Sequence, residues 1–561
     1  MNSREPLGWI SRSEWSFVVI TIGIVLVITT LPYIYGFLSA PDDKVFMGIM
    51  LDVPDHGQYF SWMRELTSSF LASNKLTPEQ NDPAFFNLLW LLLGRFGRLF
   101  GVGTNIVFQV FRITASVSFL IAAYLVIAWF LAGKEQRRLA FLLVTFTSGF
   151  GWVLVLLKYT ITEGKLLFPL DVYIAEGNTF LGMLAYPHFI AAAFYIIVFY
   201  LVLLGEKRNQ YRFSVAAGLL TAFLGWQHTY DLILVYGVLA AYIGLCFLRD
   251  KSLPVYPTRT LAIIIILSIW PAIYSVWITS VNAVWKGVLD QFSNAGVFTP
   301  NPLHLPVLLG FTFIMACFTF ILDRGWKLLN VPNDEIFLRG WFLANLGLIY
   351  IPTDYQIHML NGLQVPLAIL ATAGLFKYIE PGMRRRVKKT KRTPTRESLL
   401  VILSLSFIIA VIPTNIYLWT WRFFDLNRYD YPFFLLQADI EALAWIDENV
   451  GDDDVVLSSI TIGQYLPAQT GSHAYLAHWA QTLDYYEKFN RVNEFYDMDT
   501  TDERRRRILS DHGVDYVYIG SPEREIGSLE LAETDFLRRV YTSADVEIFK
   551  VLQLDQTVQH E

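Results

Sequence analysis

The run Leu51–Trp62 (LDVPDHGQYFSW) holds the residue with the clearest chemical use, Asp55. A carboxylate there can take the proton of an acceptor hydroxyl, or help to hold a divalent cation. It precedes a predicted helix in which Tyr59, Trp62 and Met63 share one face. The plainer role is structural. Asp is a common helix N-cap, and Asp42 and Asp43 nearby could form a solvated turn.

A second group lies in Pro169–Phe180 (PLDVYIAEGNTF) and Tyr186–Phe189 (YPHF). Asp171, Glu176 and His188 could supply oxygen and nitrogen ligands, although their spacing matches no compact metal motif. A polar loop with a capping carboxylate is the structural alternative. The stretch Gln227–Asp231 (QHTYD) interrupts an apolar run. Two helices turning at an interface need polar residues there in any case, and His228 and Asp231 could also face the pocket of Asp55. Arg112 stands near the outer end of an apolar span, where its planar fork suits a lipid phosphate and snorkelling is the alternative. In Tyr350–Pro366 (YIPTDYQIHMLNGLQVP), Gln356, His358 and Asn361 could line a head-group site or belong to an ordinary connector.

The elements that must position these groups are set by a bilayer. The chain has 561 residues, of which 54% are hydrophobic and 17% charged, against about 25% charged in a soluble domain. Apolar runs of about 20 residues account for the deficit. We expect about eleven spans, near 17–38, 106–131, 138–157, 189–205, 212–226, 229–248, 260–279, 305–322, 337–351, 363–379 and 398–419. Phe17–Leu38 is longer than a signal-peptide core, and is expected as a retained first helix with its N-terminus inside. Phe85–Phe100, apolar but carrying Arg95 and Arg98, is expected as an interfacial helix.

Charge then sorts the loops. Lys and Arg are dense in Gly133–Arg138, Glu206–Arg212, Arg249–Arg259 and Arg384–Arg396, which should face the cytoplasm. The intervening loops carry Asp42, Asp43, Asp52, Asp55, Asp171, Glu176, His188, His228, Asp231, Asp354 and His358, which should meet on the outer face. An odd number of spans puts the C-terminus outside. Cys246 and Cys317 lie in apolar spans as small fillers. The net charge of −6 gives no basic excess that would point to nucleic acid.

Residues 1–420 thus read as a transmembrane domain with long outer loops at 39–105, 158–187 and 282–303, and 436–555 as an exported soluble α/β domain. In the latter, Asp439–Asn449 has helical spacing, and DVVLSS, DYVYIG and Val546–Leu552 read as strands. No Gly-rich phosphate loop follows them.

Taken together, these residues resemble the GT-C class of membrane glycosyltransferases, which includes the protein O-mannosyltransferase and lipid A aminoarabinose transferase families. The resemblance rests on Asp55-His56-Gly57-Gln58-Tyr59 after the first span, the acids Asp171 and Glu176 in the next outer loop, and the Tyr350–Pro366 segment. The last departs from the bacterial pattern, which often has basic residues after the Gln; here Ile357 and His358 follow Gln356. The string from Trp445 through Gly463-Gln464-Tyr465 to Ala477-His478-Trp479 is similar to exported tails of the class. The resemblance implies transfer of a sugar from a polyprenyl-phosphate donor to a glycan, lipid or protein acceptor on the outer face of the cell membrane. It makes Asp55 the base. It leaves Arg112, Asp171, Glu176, His188, His228 and His358 as candidates for the donor phosphate or a metal, with Mg²⁺ or Mn²⁺ as the possible cation. A transporter or lipid flippase is the competing class, and a non-catalytic envelope assembly protein the next; a transporter should carry midplane charges and inverted repeats, and neither is visible.

Overall fold

The computed structural model describes residues 10–295, 298–323, 329–387, 395–527, 534–543 and 545–552. Part of the basic cluster Arg384–Arg396, the stretch 388–394, lies outside them, as do residues 296–297 of the third long loop and 553–555 of the expected tail domain.

The protein is a multi-pass helical membrane protein. Among the described residues, six helices are long and apolar enough to cross a bilayer: Arg12–Ser39, Thr104–Phe130, Pro187–Arg208, Asp231–Asp250, Pro302–Leu322 and Gln356–Arg386. Three further pairs pass together but bend by 41° to 48°, which raises the number to as many as nine. The remaining two of the expected spans are the 16-residue helices Arg212–Gln227 and Asn333–Leu348. At 1.5 Å per residue these are shorter than an apolar core of about 30 Å, so length and composition alone do not make them spans.

Two of the bends have identifiable causes. Lys134–Phe146 stops before Gly151–Thr160 because the chain leaves the helix at Thr147, in extended backbone. The amides of Ser148 and Phe150 then bond to the carbonyls of Val411 (2.8 Å) and Val307 (2.7 Å). Arg396–Val411 is separated from Pro413–Leu426 by a proline, which cannot continue the hydrogen-bond ladder.

The chain divides into two compact units. The first comprises Met1–Pro32, Val110–Ile273 and Val297–Phe423, and the second Tyr33–Gln109, Tyr274–Gly296 and Phe424–Glu561. The first long loop and residues 274–296 therefore group with the tail, not with the other spans. In the second unit, β1 (Lys44–Phe46) pairs antiparallel with β2 (Phe434–Leu436). The strands β3 (Val455–Leu457), β4 (His473–Ala474), β5 (Tyr516–Ile519), β6 (Leu537–Thr542) and β7 (Glu547–Val551) form one sheet in the order β4-β3-β5-β7-β6. The β4-β3-β5 part is parallel, and β7 and β6 run antiparallel. Helices Gln437–Asn449, Tyr485–Tyr496 and Asp502–Asp511 complete a small α/β layer arrangement. Gly513, at φ +59°, ends the last of these.

The loop joins this domain through its backbone. The Lys75 carbonyl accepts the Ala474 amide at 2.9 Å, and the Thr77 carbonyl accepts a proton from His473 Nδ1 at 2.8 Å. The Thr77 hydroxyl accepts the Leu483 amide, and Asn74 donates to the Gln481 carbonyl. Helix Leu88–Phe100 follows, capped by the Asn87 side chain. Its 13 residues are too few to span a membrane. It buries Leu89, Trp90 and Leu91 and exposes Leu92, Phe96, Leu99 and Phe100, the two-faced pattern expected of an interfacial helix.

Candidate functional site

Asp55 lies in the first turn of helix Val53–Glu65, in the second unit. The helix starts where a proline in its first turn pre-sets the backbone. Asp52 precedes it in the left-handed region (φ +49°) and its carbonyl receives both the amide and ring Nδ1 of His56. One and two turns on, Tyr59 stacks on Trp90 (ring centroids 4.6 Å apart) and Trp62 packs on Phe85 (4.2 Å). This aromatic face is the one expected from the spacing, and it fixes the roll of the helix.

The Asp55 carboxylate meets a residue that the sequence did not single out for chemistry. His478 Nε2 donates to Asp55 Oδ1 at 2.7 Å. The imidazole is buried and the Asp55 side chain is 31% exposed. Nothing in the spacing could have found this contact, since 423 positions separate the two residues.

In the first unit, five of the expected polar residues come together. His358 Nδ1 bonds to Glu176 Oε1, and His228 Nδ1 bonds to Asp231 Oδ2 at 2.9 Å. The two imidazoles meet edge to face with centroids 5.9 Å apart. Phe189 lies against both, at 5.7 and 5.8 Å. Tyr230 stacks on His358 at 5.5 Å and on Tyr355 at 4.3 Å. His188 borders the group through Phe189, 4.1 Å away, and its own carbonyl accepts from Gln227. Both carboxylates are nearly inaccessible, while the two rings are part exposed.

The cluster sits where three spans begin. Pro187–Arg208, Asp231–Asp250 and Gln356–Arg386 all start at these residues. Their far ends carry Lys207 and Arg208, Arg249, and Arg384 to Arg386. Acid and imidazole at one end, cation at the other, is the sorting expected from the sequence, seen on three helices of one unit.

Asp171 and Arg112 are placed elsewhere. Asp171 accepts the Gly151 amide at 2.8 Å and the Thr414 hydroxyl at 3.1 Å, at the start of helix Gly151–Thr160. Burial pushes its carboxyl up to about 6 against the pull of these donors. Arg112 is fully buried and donates to the hydroxyls of Thr29 (3.1 Å) and Thr30 (2.9 Å) and to the Met183 carbonyl. Among the described residues no three His, Cys, Asp or Glu side chains gather in a way that could hold a metal ion.

A family model described as a family of unknown function, DUF6541, matches residues 359–553. No curated protein is matched. Among solved structures, the oligosaccharyltransferase of Archaeoglobus fulgidus in its apo form is similar at 12% identity and a TM-score of 0.56, over 91% of this chain and 70% of that one. The same organism's oligosaccharyltransferase AglB, in complex with an inhibitory peptide and a dolichol-phosphate, aligns at 12% identity and 0.52, over 92% and 70%. The arabinofuranosyltransferase AftD from Mycobacteria aligns at 14% and 0.54, over 99% of this chain but 42% of that one. The chain therefore has the GT-C fold.

Proposed function

We propose that this protein is a membrane glycosyltransferase that moves a sugar from a polyprenyl-phosphate donor to an acceptor hydroxyl at the outer face of the cell membrane. The observation that carries the reading is the convergence of the Glu176–His358 and Asp231–His228 pairs at the starts of three spans. Helix N-termini favour anions, and imidazoles oriented by carboxylates present ring nitrogens that can donate to one. A group of this kind at the end of a span suits a phosphate whose lipid tail lies in the bilayer. The basic far ends of the same spans support an outer placement of this end.

In this reading the acceptor oxygen attacks the anomeric carbon, the bond from that carbon to the phosphate oxygen breaks, and polyprenyl phosphate leaves with the electron pair. Asp55 takes the acceptor proton. His358 and His228 are assigned to the phosphate, with Glu176 and Asp231 holding their rings. Mg²⁺ or Mn²⁺ would stabilise the same charge if bound. The purified chain should transfer label from a polyprenyl-phosphate sugar, and Asp55→Asn should abolish the transfer. Uptake of substrate into proteoliposomes without covalent transfer would overturn the proposal.

A further inference from the structure

We infer that His478 is the positioning residue for Asp55, locked as one neutral tautomer; the catalytic part of this inference rests on the role proposed for Asp55. The lock is in the hydrogen bonds. His478 Nδ1 accepts the Ala480 amide at 2.9 Å. A ring nitrogen that accepts an N–H carries no proton, so the proton sits on Nε2. Nε2 is the atom 2.7 Å from Asp55 Oδ1, and it donates there. A protonated ring would turn a second N–H against the Ala480 amide. The ring is therefore a one-way donor that aims one carboxylate oxygen.

The loop that carries it is pinned from below. Thr482 Oγ1 accepts the amides of Ala477 (3.0 Å) and His478 (3.2 Å) and donates to the Leu76 carbonyl. That is the full capacity of a hydroxyl. Leu76 belongs to the loop segment that follows the Asp55 helix, so base and donor are tied to the same stretch of backbone. The ring is 2% exposed and lies against Trp479, with centroids 4.9 Å apart. A buried donor on a braced loop orients a carboxylate better than a solvent-exposed one, because no rotamer freedom is lost when the bond forms.

Nitrogen NMR on the full chain in detergent, labelled with ¹⁵N-histidine, tests the lock without substrate. The signal lost in His478→Gln should be a neutral Nε2–H ring, and Asp55→Asn should shift it. An Nδ1–H or charged ring, or no response to Asp55→Asn, overturns the inference. With a labelled polyprenyl-phosphate hexose as donor, His478→Ala should lower transfer at least tenfold. His478→Gln, whose amide can still donate, should restore most of it. Equal loss in both variants, at unchanged melting temperature, overturns the positioning role. If the wild type transfers nothing, the proposed function fails, and the NMR result alone decides the tautomer.

Discussion

Gly57 rests against the backbone carbonyl of Gln464, and a Cβ at position 57 would collide with that oxygen. The contact sets the depth of helix Val53–Glu65 against the turn between Ile460–Gly463 and Leu466–Thr470. In a free helix interior, Gly→Ala stabilises by up to about 1 kcal/mol. Here the oxygen belongs to backbone and cannot swing aside. Gly57→Ala should therefore destabilise by about 1–3 kcal/mol, as overpacking does, and should lower transfer by displacing Asp55. Gly244→Ala is the control, since a Cβ there meets nothing within 4 Å. Thermal melting in detergent checks both: the first should melt lower, the second at the same temperature or higher.

The two histidine–carboxylate pairs should separate function from stability. Glu176→Gln keeps the shape but replaces the carboxylate that bonds to His358 Nδ1. We expect a loss of transfer of about 10²-fold, the low end of what a positioned acid or base contributes, with little change in melting. His228→Gln should behave in the same way through Asp231. Arg112→Ala should do the opposite. Its guanidinium is buried against Thr29, Thr30 and Met183, and its removal leaves a void and unpaired polar groups. Folded yield should fall before any specific loss of rate is seen.

These contrasts show what the sequence could carry. Spans were legible because a bilayer demands a run of apolar residues, and among the described residues six of the expected positions hold helices, and three more hold bent pairs, long and apolar enough to cross. The bends were harder to read. The break after Phe146 depends on amides that find Val411 and Val307, partners far away in sequence. The one-sided sorting of His228, Asp231 and His358 followed from loop charge. The burial of Arg112 did not, because an Arg near a span end reads equally as a phosphate ligand or as an internal donor until its neighbours are known. Residue type alone makes Asp171 a possible ligand. Its position beside Gly151, where a Cβ would strike the carboxylate, is a packing fact with no local signature.

Asp171 also predicts a pH dependence. Its folded-state carboxyl is raised to about 6 from an ordinary 3.8 by burial. Between those values the unfolded chain releases the proton and the folded chain keeps it. Folding is therefore favoured at the acid end, and stability falls as pH rises from about 4 to 6, then levels. The raised value corresponds to roughly 3 kcal/mol. Asp171→Asn keeps an acceptor for Gly151 and Thr414 and should remove this slope. Melting temperatures of both proteins between pH 4 and 7 check it; a parallel pair of curves would refute the assignment.

Glu523 makes a second prediction, in the tail. The crevice beyond the ends of parallel strands β3 and β5 is where open α/β sheets usually seat a ligand. Here the protein fills it with its own carboxylate. Glu523 is fully buried and accepts the amides of Ser459 (2.8 Å) and Gly520 (2.9 Å), one after each strand. Burial pushes its carboxyl up to about 7 against those donors. The sign is the same as for Asp171, with the window moved: stability contributed below about 4.5 is lost as pH rises through 7. Glu523→Gln retains an acceptor and should flatten the curve across that window. Glu523→Ala leaves two buried amides unpaired and should cost about 2–4 kcal/mol. Limited proteolysis of the tail in the intact protein reads both. Protection in Glu523→Gln and cleavage in Glu523→Ala is the expected pair, and equal protection in the two would show that the carboxylate does not hold the crevice closed.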